Sequence, residues 1–261
     1  MPSRRGMLLR PLHGSAGVDG YHADTRLSLL GAFELQTGVR LVRVPRHVQR
    51  LLAFLALQGR PLHRAYVAGR LWIDLSQEHA HGCLRTTLWR MGRLQCPVID
   101  VTSTHLALAA TVAVDARELE ACIERVAHNG ATRMSGDIDL LTHAAELLPD
   151  WYEDWVLDER ERLRQLRLVA LEAAGEGLIV AQRYSDAAIA ALAAVASDPL
   201  RESAYRLLIR SYLGEGNVAE AVHQFAVFRA RLRGTLDLEP SRQMQELLSR
   251  EQRRTLDLNG C

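Results

Sequence analysis

Between Glu78 and Leu94 the chain clusters Arg85, Thr86, Thr87, Arg90 and Arg93. A planar guanidinium bonds guanine O6 and N7, or a phosphate, with two donors at once. A threonine offers a methyl to thymine or a hydroxyl to phosphate. If 78–94 is helical, Leu84, Leu88, Met91 and Leu94 form one apolar stripe. Thr86, Trp89, Arg90 and Arg93 then point the other way, with Arg85 and Thr87 on the flanks. Such an outer face has the width and chemistry to enter a major groove. Taken alone, it is also what any solvated helix presents.

Other chemistries find little support. The chain contains no GxxxxGK[ST] phosphate loop, no GxSxG elbow and no HExxH zinc motif. Its four cysteines, Cys83, Cys96, Cys122 and Cys261, form no CxxC pair. His79 and His81 stand two apart, a spacing that puts them on different helix faces. The expectation is a chain with no catalytic site, no cofactor and no metal. No run of eighteen apolar residues predicts a membrane span, and the N-terminal apolar patch near Met7–Leu9 is too short for a secretion signal. A cytoplasmic, nucleoid-associated location is expected.

The net charge of +1 conceals an asymmetry. Residues 1–110 hold 14 Arg against 6 acidic residues, and residues 111–261 hold 18 Arg against 25. A basic first half beside an acidic second half points to polyanion contact through the first alone. Every basic side chain is Arg, so each such contact would come from a planar, bidentate donor.

The elements that must carry those residues follow from pattern. Residues 1–25 lack periodicity and read as a disordered leader. Alternation predicts short strands near 26–30, 33–36 and 40–44, with turns at Gly31 and Thr37-Gly38. Pro45 and Gly59 bracket a helix over 46–58, whose Val48, Leu51, Leu52 and Leu55 share one face. PLHRAYVAGRLW supplies a second short helix with Ala65, Ala68, Leu71 and Trp72 inward. The arginine-bearing helix comes third, followed by strands near 98–101 and 105–109 around Thr102-Ser103-Thr104. This is the order of a winged helix-turn-helix.

Residues 26–115 resemble the OmpR-type winged helix-turn-helix of the Streptomyces antibiotic regulatory proteins. LSLLGAFEL, RLLAFLAL, GRPLHRAYVAGRLW and GCLRTTLWRMGRL carry the resemblance. It implies that the third helix reads DNA through Arg85, Thr86, Thr87, Arg90 and Arg93 while the hairpin touches the neighbouring groove or backbone. Arg46, Arg50 and Arg64 stand as further candidates for phosphate contact, with solvated surface as the plainer alternative. The chain departs from that pattern at Gly82 and Gly92 inside the third helix, at Trp89 on its outer face, and at a wing tip without Arg.

From Val114 the pattern becomes helical. Asp115 is a plausible N-cap for a helix broken at Asn129-Gly130, and 137–148 forms another. A long amphipathic helix follows, with Leu163, Leu166, Ala170, Leu171, Ala174 and Leu178 inward. QRYSDAAIAAL and EGNVAEAVHQF then match at a spacing of 34 residues, the period of tetratricopeptide repeats. Pro240 opens a last helix to about Arg253. Trp151-Tyr152-Glu153-Asp154-Trp155 reads as an anchor between domains, or alternatively as a ligand cage.

LLPDWYEDWVLDERERLRQLRLVALE and ASDPLRESAYRLLIRSYLGEGNVAEAV resemble the bacterial transcriptional activator domain of the same regulators. The expected architecture is therefore mainly α, in three parts. A leader over 1–25 precedes a winged helix-turn-helix (α+β) over 26–112 and an all-α, tetratricopeptide-like domain over 113–255. The resemblance implies a sequence-specific activator of a secondary-metabolite cluster. It also implies three partners: promoter repeats in double-stranded DNA, RNA polymerase and a second copy of the chain. The alternative is a protein-interaction scaffold whose winged helix no longer binds DNA.

Overall fold

The computed structural model describes residues 25–94, 97–129 and 135–247. Strands β1 (Thr25–Ser28), β2 (Glu34–Thr37) and β3 (Arg40–Leu41) form an antiparallel meander. Gly31 and Gly38 both take positive φ at its turns, a conformation that glycine adopts without steric cost. Helix α1 (Arg46–Gln58) starts after Pro45 and stops at Gly59, whose left-handed backbone lets its N–H close on the Leu55 carbonyl. Its expected inner face, Val48, Leu51, Leu52 and Leu55, is fully buried.

Helix α2 (Arg64–Leu71) is preceded by a two-residue strand, β4 (Leu62–His63). Helix α3 (Gln77–Met91) follows a short turn and is capped by Ser76, whose hydroxyl accepts from His79 N–H. It ends at Met91, three residues earlier than expected, and the chain passes through turns at Gly92 and Arg93. The hairpin β5 (Ile99–Val101) and β6 (His105–Leu108) follows, and β4 joins it on the outer side of β6. Strand β7 (Val112–Val114) then returns to lie parallel to β1, completing a four-stranded sheet ordered β3-β2-β1-β7.

The acidic half consists of helices α4 (Asp115–Asn129), α5 (Ser135–His143), α6 (Asp154–Val180), α7 (Tyr184–Ser197), α8 (Glu202–Gly214) and α9 (Val218–Leu236), with a further turn of helix at 242–247. Tyr184 opens α7 and Val218 opens α9, 34 residues later, so the repeat in the sequence is a repeat of helical hairpins. Gly175 lies at the α6–α8 crossing, where a Cβ would run into the side chain of Leu207. Glycine there lets the two backbones approach. The helix expected over 137–148 stops at His143, and the chain then runs extended through Leu147. Bonding to the first strand explains the change. Leu147 bridges Leu30, Gly31 N–H donates to Glu146 O, and Leu148 N–H donates to Leu29 O.

The two halves share one interior. A single cluster of buried side chains runs from Leu27 in β1 through α1, α4 and α6 to Ala204 in α8. The expected division at 112/113 falls inside β7, which is paired to β1. Asp115 does more than open α4: its carboxylate accepts from Leu29 N–H and Leu30 N–H as well as from Ala116 N–H. Burial raises the pKa of that carboxyl and outweighs the three backbone donors, which act in the opposite direction.

Candidate nucleic-acid interface

Helix α3 packs on α1 and α2 through Ala80, Leu84 and Met91, all buried, with Leu88 partly covered. That packing fixes which residues face outward. Arg85, Thr86, Trp89, Arg90 and Arg93 are exposed and form a continuous ridge. None of the three arginines meets a carboxylate among the described residues. Elsewhere paired arginines are common, as at Arg125–Asp137, Arg201–Glu172 and Arg229–Glu239. Guanidinium groups left without acidic partners on one face give it a net positive potential.

Neighbours restrain two of those side chains. Arg93 lies over the Trp89 ring, with its guanidinium carbon 3.7 Å from the ring centroid. Arg90 Nη1 is 3.2 Å from His47 Nε2, so α1 reaches across to brace the ridge. Burial lowers the His47 pKa first, and the Arg90 charge adds to that, favouring the neutral imidazole that can accept a hydrogen bond from Arg90. Thr86 is exposed and donates its hydroxyl to Gly82 O. Beside the ridge lies an open cleft of about 540 Å³ lined by His47, Trp72, His79, Arg85, Thr86 and Arg90, with one carboxylate, Glu78, at the start of the helix.

The β5–β6 hairpin adjoins the C-terminal end of α3, where Leu88, Met91 and Leu94 share a cleft with Ile99 and Val101. Thr102 ties its tip together, with its hydroxyl accepting from Thr104 N–H and His105 N–H. Arg64 approaches from α2, donating from Nη1 to Thr102 O at 3.4 Å, and supplies the positive charge that the tip itself lacks.

Three expected site residues lie away from this ridge. Thr87 is only 1% exposed, and its hydroxyl donates to Cys83 O inside the helix. Its flank position rotates it into the core, so it does not belong to the outer face. Arg46 and Arg50 face the acidic half. Arg46 stacks on Trp151 and pairs with Glu153, while Arg50 Nε lies 3.1 Å from Glu153 Oε1 and its Nη2 donates to Leu71 O. Trp151, 4% exposed, and Trp155, 9% exposed, are packed with Phe33 and Phe54, which makes this cluster an anchor. His47 is the residue that sequence reasoning missed. A lone histidine on α1 carries no local signal that it will meet Arg90 from α3.

Among the described residues, no group of three His, Cys, Asp or Glu is placed to hold a metal ion. Within the same residues, no helix is long and apolar enough to cross a membrane.

The model of the family described as the bacterial transcriptional activator domain matches residues 114–250. The chain belongs to the bacterial transcriptional activator domain family. The match spans the helical half from β7 onward and bears out the resemblance that the helical motifs carry. It is a match to a family of transcriptional activators, not to a class of enzymes. A curated relative, the regulatory protein AfsR of Streptomyces coelicolor, is 26% identical over 215 residues, covering 79% of this chain and 22% of its own length. The chain thus spans about a fifth of that curated relative. Among solved structures, Mycobacterium tuberculosis EmbR in complex with a low affinity phosphopeptide superposes with a TM-score of 0.63 at 20% identity. The likeness covers 88% of this chain and 65% of EmbR and shows a shared fold, which in this chain is a small N-terminal sheet-bearing region followed by an all-helical one.

Proposed function

We propose that the chain is a sequence-specific DNA-binding transcriptional activator that reads the major groove with the outer face of α3. In this reading Arg90 and Arg93 contact bases or phosphates at the centre of the ridge. Arg85 and Thr86 contact the flanking positions, and Arg64 holds a backbone phosphate beside the wing. The observation that carries the reading is the ridge of three exposed arginines with no acidic partner among the described residues. Ionic partners would have to be dismantled before DNA could bind, and here none need be. The family match supports the activator role, which extends to recruitment of RNA polymerase. Dimeric binding to repeated half-sites and control of a secondary-metabolite cluster are part of the same proposal.

The test is affinity for promoter DNA as a function of salt. Each neutralised phosphate contributes about −0.9 to the slope of log K against log salt. Wild-type chain should bind one sequence selectively, and Arg90→Ala with Arg93→Ala should lose that selectivity. A scaffold without DNA-binding ability would show neither the steep slope nor any effect of the substitutions.

A further inference from the structure

Arg167 of α6 is half-buried, and it donates from Nε to Leu141 O and from Nη2 to Thr142 O at the C-terminal end of α5. It has no ion pair among the described residues, and its Nη1 has no hydrogen-bond partner there. Burial lowers the pKa of this guanidinium, and no neighbouring charge opposes it. A desolvated cation compensated only by carbonyl dipoles is costly, and an anion beside it would remove much of that cost.

Arg167 lines a cavity of about 310 Å³. Leu119 of α4, Leu147 of the connector and Leu163 of α6 give it a buried apolar floor, and Ala196 of α7 forms part of its exposed rim. The other two arginines of the lining are already engaged. Arg160 donates to the Leu147, Leu148 and Trp151 carbonyls and pairs with Glu146, the carboxylate of the lining, and Arg164 pairs with Glu161 and Asp198. One unneutralised donor above an apolar floor defines the complementary ligand. The volume is that of a small-molecule site.

We propose that this cavity binds a small organic acid with an apolar body, its carboxylate on Arg167 and its hydrocarbon against Leu119, Leu147 and Leu163. The site also touches the seam between the halves. Glu146 and Leu147 of its wall are bonded to Gly31 and Leu30 beside the first strand. An occupant therefore braces the connector on which the basic half is mounted. The proposal stands independently of whether α3 reads DNA.

Octanoate is a suitable test ligand, titrated into the full chain by calorimetry, with 1-octanol as the uncharged counterpart. Saturable binding at one site is expected for octanoate, with much weaker binding of 1-octanol. Arg167→Gln should weaken octanoate by roughly tenfold or more, the value of a charged hydrogen bond. Ala196→Phe, made at the exposed rim, should block binding while leaving the thermal midpoint of the free chain unchanged. Arg167 also holds α5, so if Arg167→Gln fails to fold, the Ala196→Phe result decides. The proposal is overturned if octanoate binds without saturation, if 1-octanol binds as well, or if either folded variant binds octanoate as the wild type does.

Discussion

Arg46 carries its guanidinium 3.7 Å above the ring of Trp151, joining the first helix of the basic half to the connector of the acidic one. The same arginine reaches Glu153, and Trp155 meets Phe54 edge-on at 5.2 Å just beneath. This join is apolar at its centre and ionic at its rim. Trp151→Ala should therefore cost about 3–5 kcal/mol, the range for truncating a buried aromatic. Arg46→Ala should cost much less, since its side chain is half exposed. Urea unfolding followed by tryptophan fluorescence and by circular dichroism should give one coincident transition. Two separate transitions would contradict a shared interior.

His47 should titrate below 6.5, because burial first, and the Arg90 charge second, disfavour its cation. Between the folded and ordinary values the unfolded chain binds more protons, so stability rises with pH in that window. The His47 contribution is thus complete above 6.5 and shrinks as the pH falls below it. Nuclear magnetic resonance of the imidazole should show the shift, and Arg90→Gln should move the titration back upward. A His47 midpoint at or above 6.5 in the wild type would refute the contact.

Glu172 links α6 to the start of α8 through Arg201 at 2.6 Å and Ser203. Burial alone would raise its pKa, but these hydrogen bonds and the Arg201 and Arg206 charges outweigh burial and lower it. A lowered carboxyl contributes stability that is complete above its ordinary pKa and is lost as pH falls through the folded value. Glu172→Gln should cost about 1–3 kcal/mol at neutral pH, as for a charged hydrogen bond removed. The loss should narrow in acid, which thermal melts across pH would reveal.

Gly175→Ala should destabilise the chain although alanine favours a helix by about 1 kcal/mol. The new methyl would meet Leu207, whose side chain is 2% exposed and has little room to turn aside. Overpacking of this kind costs about 1–3 kcal/mol. The penalty should largely vanish in a Leu207→Ala background, a coupling that a double-mutant cycle measures directly.

Local signals made most of the helices legible. Pro45 and Gly59 bracket α1 at its observed ends, and the 34-residue match relates the segments that open α7 and α9. Features that depend on distant partners were not legible. β4 is two residues long and exists only because Leu62 and His63 pair with Leu106 and His105. The extended stretch after His143 looked helical because its bonds go to Leu29, Leu30 and Gly31, far back in sequence. Within the candidate site the ridge itself was visible as spacing. Thr87 was not, because a flank position can rotate either way until the packing of Leu84 and Met91 sets the helix face. Arg46 and Arg50 looked free because Glu153, their partner, lies about a hundred residues away.

Strand β7 passes directly into α4, and Asp115 fastens that corner to the backbone of Leu29 and Leu30. No hinge residue intervenes there, so the corner behaves as a welded elbow. A partner or a second copy gripping the repeat helices would turn the arginine ridge with them as one lever. If α3 reads DNA as proposed, spacing and orientation would be dictated from the far end of the molecule, and transplanting the basic segment onto another protein would forfeit that control.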